Sequence, residues 1–299
     1  MKPKPECLRC LLNVRLRDIE YSSLKPEGKV ALAKKVLGSI IEEFNLETAE
    51  LTTLASSLFE LVVKSAPDIV DYYKLIKKRS MRIALESIGV HRRYLEGKGD
   101  FERLYYLLKL AALGNIIDYG VAEHSFKEEL DPLLIEKTEL AIDDSRILYD
   151  MIKRGGLRVL YLLDNAGEVV YDALLAEYIR GKGNRVIGVA KDEPGFQNDV
   201  TLNDLVETGV DKAFDLLVTP GCRGVCSSIH LDKVDSSFKE LLGSVDLVIA
   251  KGMANFEYLS STSLGKPVLF ILVAKCRPVA EALGSFFYLG KPVVLLKTS

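Results

Sequence analysis

Residues 159–168 read Val-Leu-Tyr-Leu-Leu-Asp-Asn-Ala-Gly-Glu, an apolar run that ends directly in acid and amide side chains. Five consecutive apolar residues are typical of a strand that is buried on both faces, as in a parallel sheet covered by helices. The turn after this run leads into a segment of helical length over residues 168–180. The stretch therefore predicts a strand, a turn and a crossover helix, which is the repeating unit of an α/β fold.

The rest of the C-terminal half repeats this pattern of short apolar runs separated by helix-length segments. Five further runs of strand length follow the first: 185–190, 213–218, 246–250, 268–273 and 293–296. Strands joined by such crossovers pair in parallel, with right-handed connections. We predict an α/β domain over residues 155–299, with a mostly parallel sheet between layers of crossover helices in a three-layer arrangement.

The N-terminal half has a different periodicity. Apolar residues at Val30, Ala33, Val36, Leu37 and Ile40 recur at helical spacing along one side of a helix. Further helices are predicted at about 48–64, 68–88, 100–114 and 133–153. We predict an all-helical N-terminal region over residues 1–154, divided into one or two subdomains, that packs against the sheet because no low-complexity linker separates the two halves.

Composition excludes several classes of protein. The 299 residues include 40 Lys and Arg against 42 Asp and Glu, so the formal charge of −2 offers no excess of positive charge for nucleic acid or an anionic membrane surface. No run of 18 apolar residues occurs, and the N-terminus lacks the apolar stretch of a signal peptide. We expect a cytoplasmic protein whose partner is a small molecule rather than nucleic acid or membrane.

Polar side chains follow several predicted strands, at the edge where ligands bind in open parallel sheets. Asp164 and Asn165 follow the first strand, and Asp199 lies beyond the second. Two carboxylates and an amide oxygen suit a hard divalent cation such as Mg²⁺ or Mn²⁺. Lys251 and Lys275 follow two later strands, where their ammonium groups would hold an anion. Together these groups predict a site for phosphoryl transfer.

Other interpretations of the same residues stay open. Asp164-Asn165 at a strand-to-helix turn is also typical of a helix cap, and Asn198-Asp199 is also typical of a turn. The G-x-G-x-x-G, G-x-x-x-x-G-K-[ST] and G-x-S-x-G motifs are absent, which argues against a dinucleotide-binding fold, a P-loop enzyme and a serine hydrolase. Ala166 stands where haloacid-dehalogenase phosphatases need a second Asp.

The motifs at the strand ends resemble, in their order along the chain, those of one family. They are Asp164-Asn165-Ala166-Gly167-Glu168, Asn198-Asp199-Val200-Thr201, Lys251 to Glu257 and Ala274-Lys275-Cys276. The set is similar to that of the metal-dependent damage-control phosphatases, also called domain of unknown function 89 or acidic-residue methyltransferase-like. Gly114-Asn115-Ile116-Ile117-Asp118 resembles a further signature, and Cys7-Leu8-Arg9-Cys10 resembles the C-x-x-C of the archaeal-type branch.

The resemblance implies a phosphatase that uses Mg²⁺, Mn²⁺, Co²⁺ or Ni²⁺ to hydrolyse phosphomonoesters such as sugar phosphates or damaged phosphometabolites. Asp164, Asn165 and Asp199 would be its metal ligands and catalytic residues. The residues expected to bind the substrate and its phosphate are Lys251, Asn255, Glu257, Lys275, Asn115, Asp118 and Glu168. Attack by a metal-activated water and covalent catalysis by Asp164 are both open. Two alternative functions are a non-catalytic metal or sugar-phosphate binding protein and a carboxyl methyltransferase that uses S-adenosylmethionine.

The five cysteines are an odd number spread along a long chain, so reduced thiols are expected. Cys7 and Cys10 have the spacing of half a zinc site, and Cys222 and Cys226 are four residues apart. A four-cysteine zinc site built from these two pairs is the alternative.

Overall fold

The computed structural model describes residues 1–47, 50–114 and 130–298. Its sheet contains seven strands: β1 (Ile142–Asp143), β2 (Arg158–Leu162), β3 (Arg185–Val189), β4 (Leu216–Val218), β5 (Leu247–Lys251), β6 (Val268–Val273) and β7 (Pro292–Lys297). Their spatial order is β1-β7-β6-β5-β2-β3-β4. Every neighbouring pair is parallel except β6 and β7, which are antiparallel.

The helices precede the sheet and alternate with its strands. They are α1 (Pro5–Tyr21), α2 (Pro26–Glu43), α3 (Leu51–Ser65), α4 (Asp68–Tyr94), α5 (Asp100–Gly114), α6 (Pro132–Lys137), α7 (Ser145–Ile152), α8 (Val169–Gly181), α9 (Leu202–Thr208), α10 (Ser236–Ser244), α11 (Gly252–Leu259) and α12 (Arg277–Ala282). Three of them begin at a proline, which has no backbone N–H. Proline is tolerated there because an N–H at the first position of a helix would have no intrahelical partner.

The predicted α/β architecture is confirmed, and each of the six apolar runs contains a strand. The single helix expected over 133–153 is wrong, because this segment holds α6, the two-residue strand β1 and α7. Strand β1 lies at the edge of the sheet and pairs only with β7. Two residues are too few to show the alternation of a strand, so the helical periodicity on either side conceals the break.

Two hydrophobic clusters cover the two faces of the sheet. In β2, Val159 and Tyr161 belong to the cluster under α4 to α9, whereas Leu160 and Leu162 belong to the cluster under α10 to α12. Successive side chains of a strand point to opposite faces, so an all-apolar strand requires both layers. The run over residues 159–163 is therefore apolar throughout because both of its faces are buried.

A third hydrophobic cluster lies within the N-terminal helices. It joins α1, α2, α3 and the beginning of α4, with Val36, Val62 and Ile69 fully buried. Helix α4 is 27 residues long and extends from this cluster, through Tyr73, to the sheet cluster, through Met81. This one helix thus packs in both hydrophobic cores.

The predicted domain boundary after residue 154 stays a prediction. Strand β1 and helix α7 precede that residue, yet β1 extends the sheet and Leu148 and Ile152 of α7 pack in a sheet cluster. In the part of the chain that the structure describes, no helix combines the length and the apolar character needed to cross a membrane.

A buried ion pair links the N-terminal helices to the C-terminal half. Lys77 Nζ of α4 lies 2.6 Å from Asp204 Oδ2 of α9, and the side chains are 4% and 8% exposed. We predict that Lys77→Met lowers the free energy of unfolding by about 3 kcal/mol, because it leaves a buried carboxylate without its cation. Urea denaturation measures this change.

The neighbouring pair provides the control. Lys78 Nζ lies 3.2 Å from Glu207 Oε2 on the same two helices, but both side chains are about half exposed. Lys78→Met should change the free energy of unfolding by less than about 0.5 kcal/mol. Equal losses in the two variants would contradict a special role for the buried pair.

Candidate active site

Backbone hydrogen bonds bring the two acidic motifs together at the carboxyl edge of the sheet. The segment that follows β2 pairs with residues 198–200: Val200 N donates to Asp164 O at 2.8 Å, and Ala166 N donates to Asn198 O at 3.0 Å. Asn165 and Asp199 form the bridge between the two segments. The predicted ligands Asp164, Asn165 and Asp199 therefore lie side by side, although more than thirty residues separate the motifs in the sequence.

Three buried carboxylates surround this bridge. Asp164, Asp199 and Glu168 are 6%, 5% and 1% exposed. The amide Nδ2 of Asn165 donates to Asp164 Oδ2 and to Glu168 Oε2, at 3.3 Å each. We call Asp164, Asn165, Glu168 and Asp199 the carboxylate cluster. The Asn165 amide donor thus lies between two carboxylates, where its partial positive charge reduces their repulsion.

The electrostatics of the carboxylate cluster favour a proton or a cation. Burial, followed by the charges of Glu168 and Asp199, raises the pKa of the Asp164 carboxyl well above its ordinary value. Burial also raises the pKa of Asp199 to about 7, although the nearby ammonium of Lys191 acts in the opposite direction. Buried carboxylates that raise one another's pKa are typical of functional sites, because a bound cation relieves the repulsion.

Gly252, the first residue of α11, makes room for Asp164. Its φ of +76° lies in the left-handed region, and a Cβ atom built on it would lie 1.7 Å from Asp164 Oδ2. Only glycine tolerates both the backbone conformation and this close approach. The Lys251-Gly252 pair at the end of β5 thus shapes the space that the Asp164 carboxylate occupies.

The predicted ligands fit a hard divalent cation by their donor chemistry. Among the described residues, Asp199 Oδ2 is buried without a hydrogen-bond partner, and the Lys191 ammonium lies 3.4 Å from it. Across residues 1–47, 50–114 and 130–298, no group of three or more His, Cys, Asp or Glu side chains is arranged to hold a metal ion. Two carboxylates and one amide oxygen form a smaller set, of the kind that leaves coordination positions to water and substrate phosphate.

Lys251 does not occupy the position that the sequence led us to expect. Its fully buried Nζ lies 2.9 Å from Asp172 Oδ1 and 3.7 Å from Glu168 Oε1, and it also donates to the carbonyl of Ala111. Burial lowers the pKa of Lys251, but the charges of Asp172 and Glu168 outweigh it and the net shift is upward. Its contacts are thus with protein acids under the carboxylate cluster, and direct binding of phosphate by Lys251 stays a prediction.

Asn255, one turn further along α11, also serves the protein's own structure. Its Nδ2 donates to the carbonyl of Lys251 at 2.8 Å, and its Oδ1 accepts a hydrogen bond from Ser228 Oγ at 2.8 Å. Both polar groups of this side chain, which is 1% exposed, are therefore used within the protein.

Lys275 and Glu257 face a cavity next to the carboxylate cluster. Both line it, and Lys275 is exposed and near enough for its charge to lower the pKa of Asp164. Burial raises the pKa of Glu257 to about 7, against the charge of the N-terminal amine. Lys275 is thus the predicted phosphate-binding lysine that remains accessible. Asn115 and Asp118 lie outside the described residues; Gly114, the last one before them, packs against Glu168.

Sequence reasoning missed two charged residues of the site. Lys191 follows β3 directly, and its Nζ donates to Ser227 O at 2.7 Å and lies near Asp199. Asp172 lies one helical turn after Glu168 on α8 and pairs with Lys251. The signal for Lys191 was its place directly after a buried strand, and the signal for Asp172 was its i+4 spacing from Glu168.

The cysteines differ from the expectation of reduced thiols. Cys222 and Cys226 form a disulfide, whereas Cys7, Cys10 and Cys276 are free. The three free thiols line the cavity that also contains Glu257. The two cysteine pairs are therefore not joined in a four-cysteine site in this structure.

Comparison with known proteins identifies the family. The damage-control phosphatase ARMT1-like domain matches residues 4–285. Proteins named damage-control phosphatase from Pyrococcus horikoshii and Archaeoglobus fulgidus are 34% and 33% identical to this chain, over 95% of it and over 94% and 96% of their own lengths. An uncharacterized protein of Methanocaldococcus jannaschii is 30% identical over 95% of this chain and 92% of its own.

A solved structure agrees with the sequence matches. The crystal structure of a DUF89 family protein from Pyrococcus horikoshii superposes on this one with a TM-score of 0.84, at 31% identity and over 99% of both chains. The order of the motifs, the fold and these relatives agree. The chain belongs to the damage-control phosphatase ARMT1-like family.

Proposed function

We propose that the protein is a divalent-metal-dependent phosphatase that hydrolyses small phosphomonoesters, such as sugar phosphates or damaged phosphometabolites. The observation that carries the proposal is the junction of Asp164, Asn165 and Asp199 at the carboxyl edge of the sheet, with Lys275 accessible beside them. The relatives named damage-control phosphatase support the same activity. The cation would be Mg²⁺, Mn²⁺, Co²⁺ or Ni²⁺, which accept oxygen ligands of this kind.

Each charged residue has a part in this proposal. Asp164, Asn165 and Asp199 would hold the cation, which when bound supplies a polarised phosphate and a water of lowered pKa. Lys275 would bind the phosphate oxygens, because it is the cationic side chain that lies at the accessible side of the carboxylate cluster. Positioned cations are what phosphoryl transfer needs most from a protein, since charge spreads over the phosphate oxygens in the transition state.

The buried lysines act as positioning residues. Lys191 contacts Asp199, and its bond to the carbonyl of Ser227 holds the ammonium in place. Lys251 pairs with Asp172 and lies near Glu168, whose Oε2 accepts a hydrogen bond from the amide of Asn165. These contacts fix the orientation of two predicted ligands before any cation binds.

The first prediction concerns the ligands themselves. After chelation and re-addition of one metal at a time, the protein should release inorganic phosphate from sugar phosphates or an aryl phosphate. Asp164→Ala and Asp199→Ala should each lower the metal-dependent rate by more than about 100-fold, because each removes a ligand oxygen. Phosphate release by a colorimetric assay, with circular dichroism to check folding, measures this.

The control is Asp150→Ala, since Asp150 is an exposed acid that pairs with Lys153 on the surface. It should keep the rate of the unchanged protein. Near-normal rates in either ligand variant would contradict the assignment. Saturable metal binding without turnover for any phosphomonoester tried would instead favour the non-catalytic binding protein.

The second prediction concerns the space that Gly252 leaves for Asp164. Gly252→Ala should weaken Mn²⁺ binding about 10-fold to 100-fold, because the new Cβ displaces the Asp164 carboxylate. Gly265→Ala is the matched control: Gly265 also has a positive φ, of +67°, but a Cβ there meets nothing within 4 Å. Both variants carry the same kind of backbone strain.

Isothermal titration with Mn²⁺ distinguishes displacement of the Asp164 carboxylate from backbone strain. Gly265→Ala should lose some stability but keep the affinity of the unchanged protein. Unchanged Mn²⁺ affinity in Gly252→Ala would show that Asp164 is not a ligand.

A further inference from the structure

The cavity beside the carboxylate cluster extends away from it into the N-terminal helices. Its volume is about 350 Å³, within the range of small-molecule sites. Lys275 and Glu257 line it, and so do Arg15 of α1 and Thr52 of α3. A phosphomonoester whose phosphate lies beside Lys275 would therefore place its alcohol part in this cavity.

Much of the cavity wall is apolar. Leu11, Val14, Leu51, Phe196 and Met253 contribute to it. These side chains suit the carbon skeleton of a substrate, whereas Gln197, Ser227 and Glu257 add polar groups to the same wall.

Arg15 brings a buried positive charge with a free donor to this cavity. Its side chain is almost fully buried, and its Nε lies 3.2 Å from Asp18 Oδ2. The guanidinium carbon also lies 4.8 Å from the ring centre of Phe59 and 5.6 Å from that of Phe196. Its Nη1 is buried and has no hydrogen-bond partner in the part of the chain that the structure describes. A guanidinium in this state can still bind a carboxylate or phosphate oxygen.

Asp18 contacts the Nε of Arg15 and leaves its Nη1 for another acceptor. The other oxygen of that carboxylate, Oδ1, accepts a hydrogen bond from Tyr73 OH at 2.5 Å, and Gln197 Nε2 donates to the same tyrosine oxygen at 3.0 Å. The Asp18 carboxylate is thus shared between a cation and a neutral donor. Gln197, which lines the cavity, extends this network to within two residues of Asp199.

Thr52 provides a second, independent unpartnered group at the same cavity. It is 2% exposed, and its hydroxyl Oγ1 has no hydrogen-bond partner among residues 1–47, 50–114 and 130–298. Its carbonyl, by contrast, accepts hydrogen bonds from Ser56 Oγ and Ser227 Oγ. Buried polar groups are nearly always hydrogen-bonded in folded proteins, so these two residues of one cavity each have hydrogen-bonding capacity left for a ligand.

We propose that this cavity binds the alcohol part of the substrate, and that this part carries an anionic oxygen group, a carboxylate, held by Arg15 and Thr52. The inference rests on the proposed phosphatase function only for the position of the substrate phosphate beside Lys275. Arg15 and Thr52 then determine specificity, since they contact substrate atoms remote from the phosphorus.

A binding experiment tests the cavity without catalysis. The probes are 4-hydroxybenzoate and 4-hydroxybenzamide, which have the same shape but differ in the charge of the terminal group. By isothermal titration, the unchanged protein should bind the benzoate about tenfold or more tightly than the benzamide, because a charged acceptor forms the stronger hydrogen bond with a guanidinium. In Arg15→Met this ratio should fall to about one.

Two further variants test the roles of Arg15 and Thr52, and a third is a control. Arg15→Lys retains a positive charge beside Asp18, so it tests the guanidinium if Arg15→Met does not fold, and it should also lower the ratio. Thr52→Val keeps the shape of the side chain and should weaken benzoate binding about threefold to tenfold. Arg92→Met, at an exposed arginine that pairs with Glu177, is the control and should leave the ratio unchanged.

Equal affinities for the two probes in the unchanged protein, or no saturable binding of either, would overturn the proposal. The activity assay uses the matching esters, 4-carboxyphenyl phosphate and 4-carbamoylphenyl phosphate. Preference for the former, lost in Arg15→Met, would support both proposals together. Selective benzoate binding with no phosphate release from either ester, for any metal, would leave the cavity assignment standing and contradict the phosphatase.

Discussion

The ion pair between Lys251 and Asp172 is the interaction on which the candidate site depends. The ammonium group at the end of β5 is completely buried and reaches Asp172 and Glu168 of the α8 region and the carbonyl of Ala111 in α5. A charge buried this deeply persists only when its partners surround it closely, because desolvation is costly. The pair therefore fixes α5 and α8 against the sheet and holds Glu168 beneath Asn165.

The carboxylate cluster and the cavity are the two parts of the proposed substrate site. The cluster lies at the carboxyl edge of the sheet, where the ends of parallel strands bring their following residues together. The cavity lies between that edge and the N-terminal helices, so its walls belong to α1, α3 and α11. Under the proposed function, the α/β half would supply the chemistry on phosphate, and the helical half would supply contacts to the rest of the substrate.

The sequence predicted strands β2 to β7 because each lies in a short run of mainly apolar residues. It did not predict β1, whose two residues lie between helices, or the role of Asp172, whose partner is distant in the chain. Lys251 and Lys275 look equivalent in the sequence, since each follows a buried strand. In the structure one is enclosed by acids and the other is exposed at the cavity. Only the packing of the helices around each strand end distinguishes them.

The sequence by itself determined the α/β class, the membership of a phosphatase family and the acid and amide motifs, because periodicity and short motifs are local properties of the chain. The tertiary structure decided which of those residues meet. The pairing of residues 164–166 with 198–200 brings Asp164 and Asp199 together, and the packing of α1 and α3 directs Arg15 and Thr52 to one cavity. Burial and proximity arise only from contacts between distant segments, so no local pattern records them.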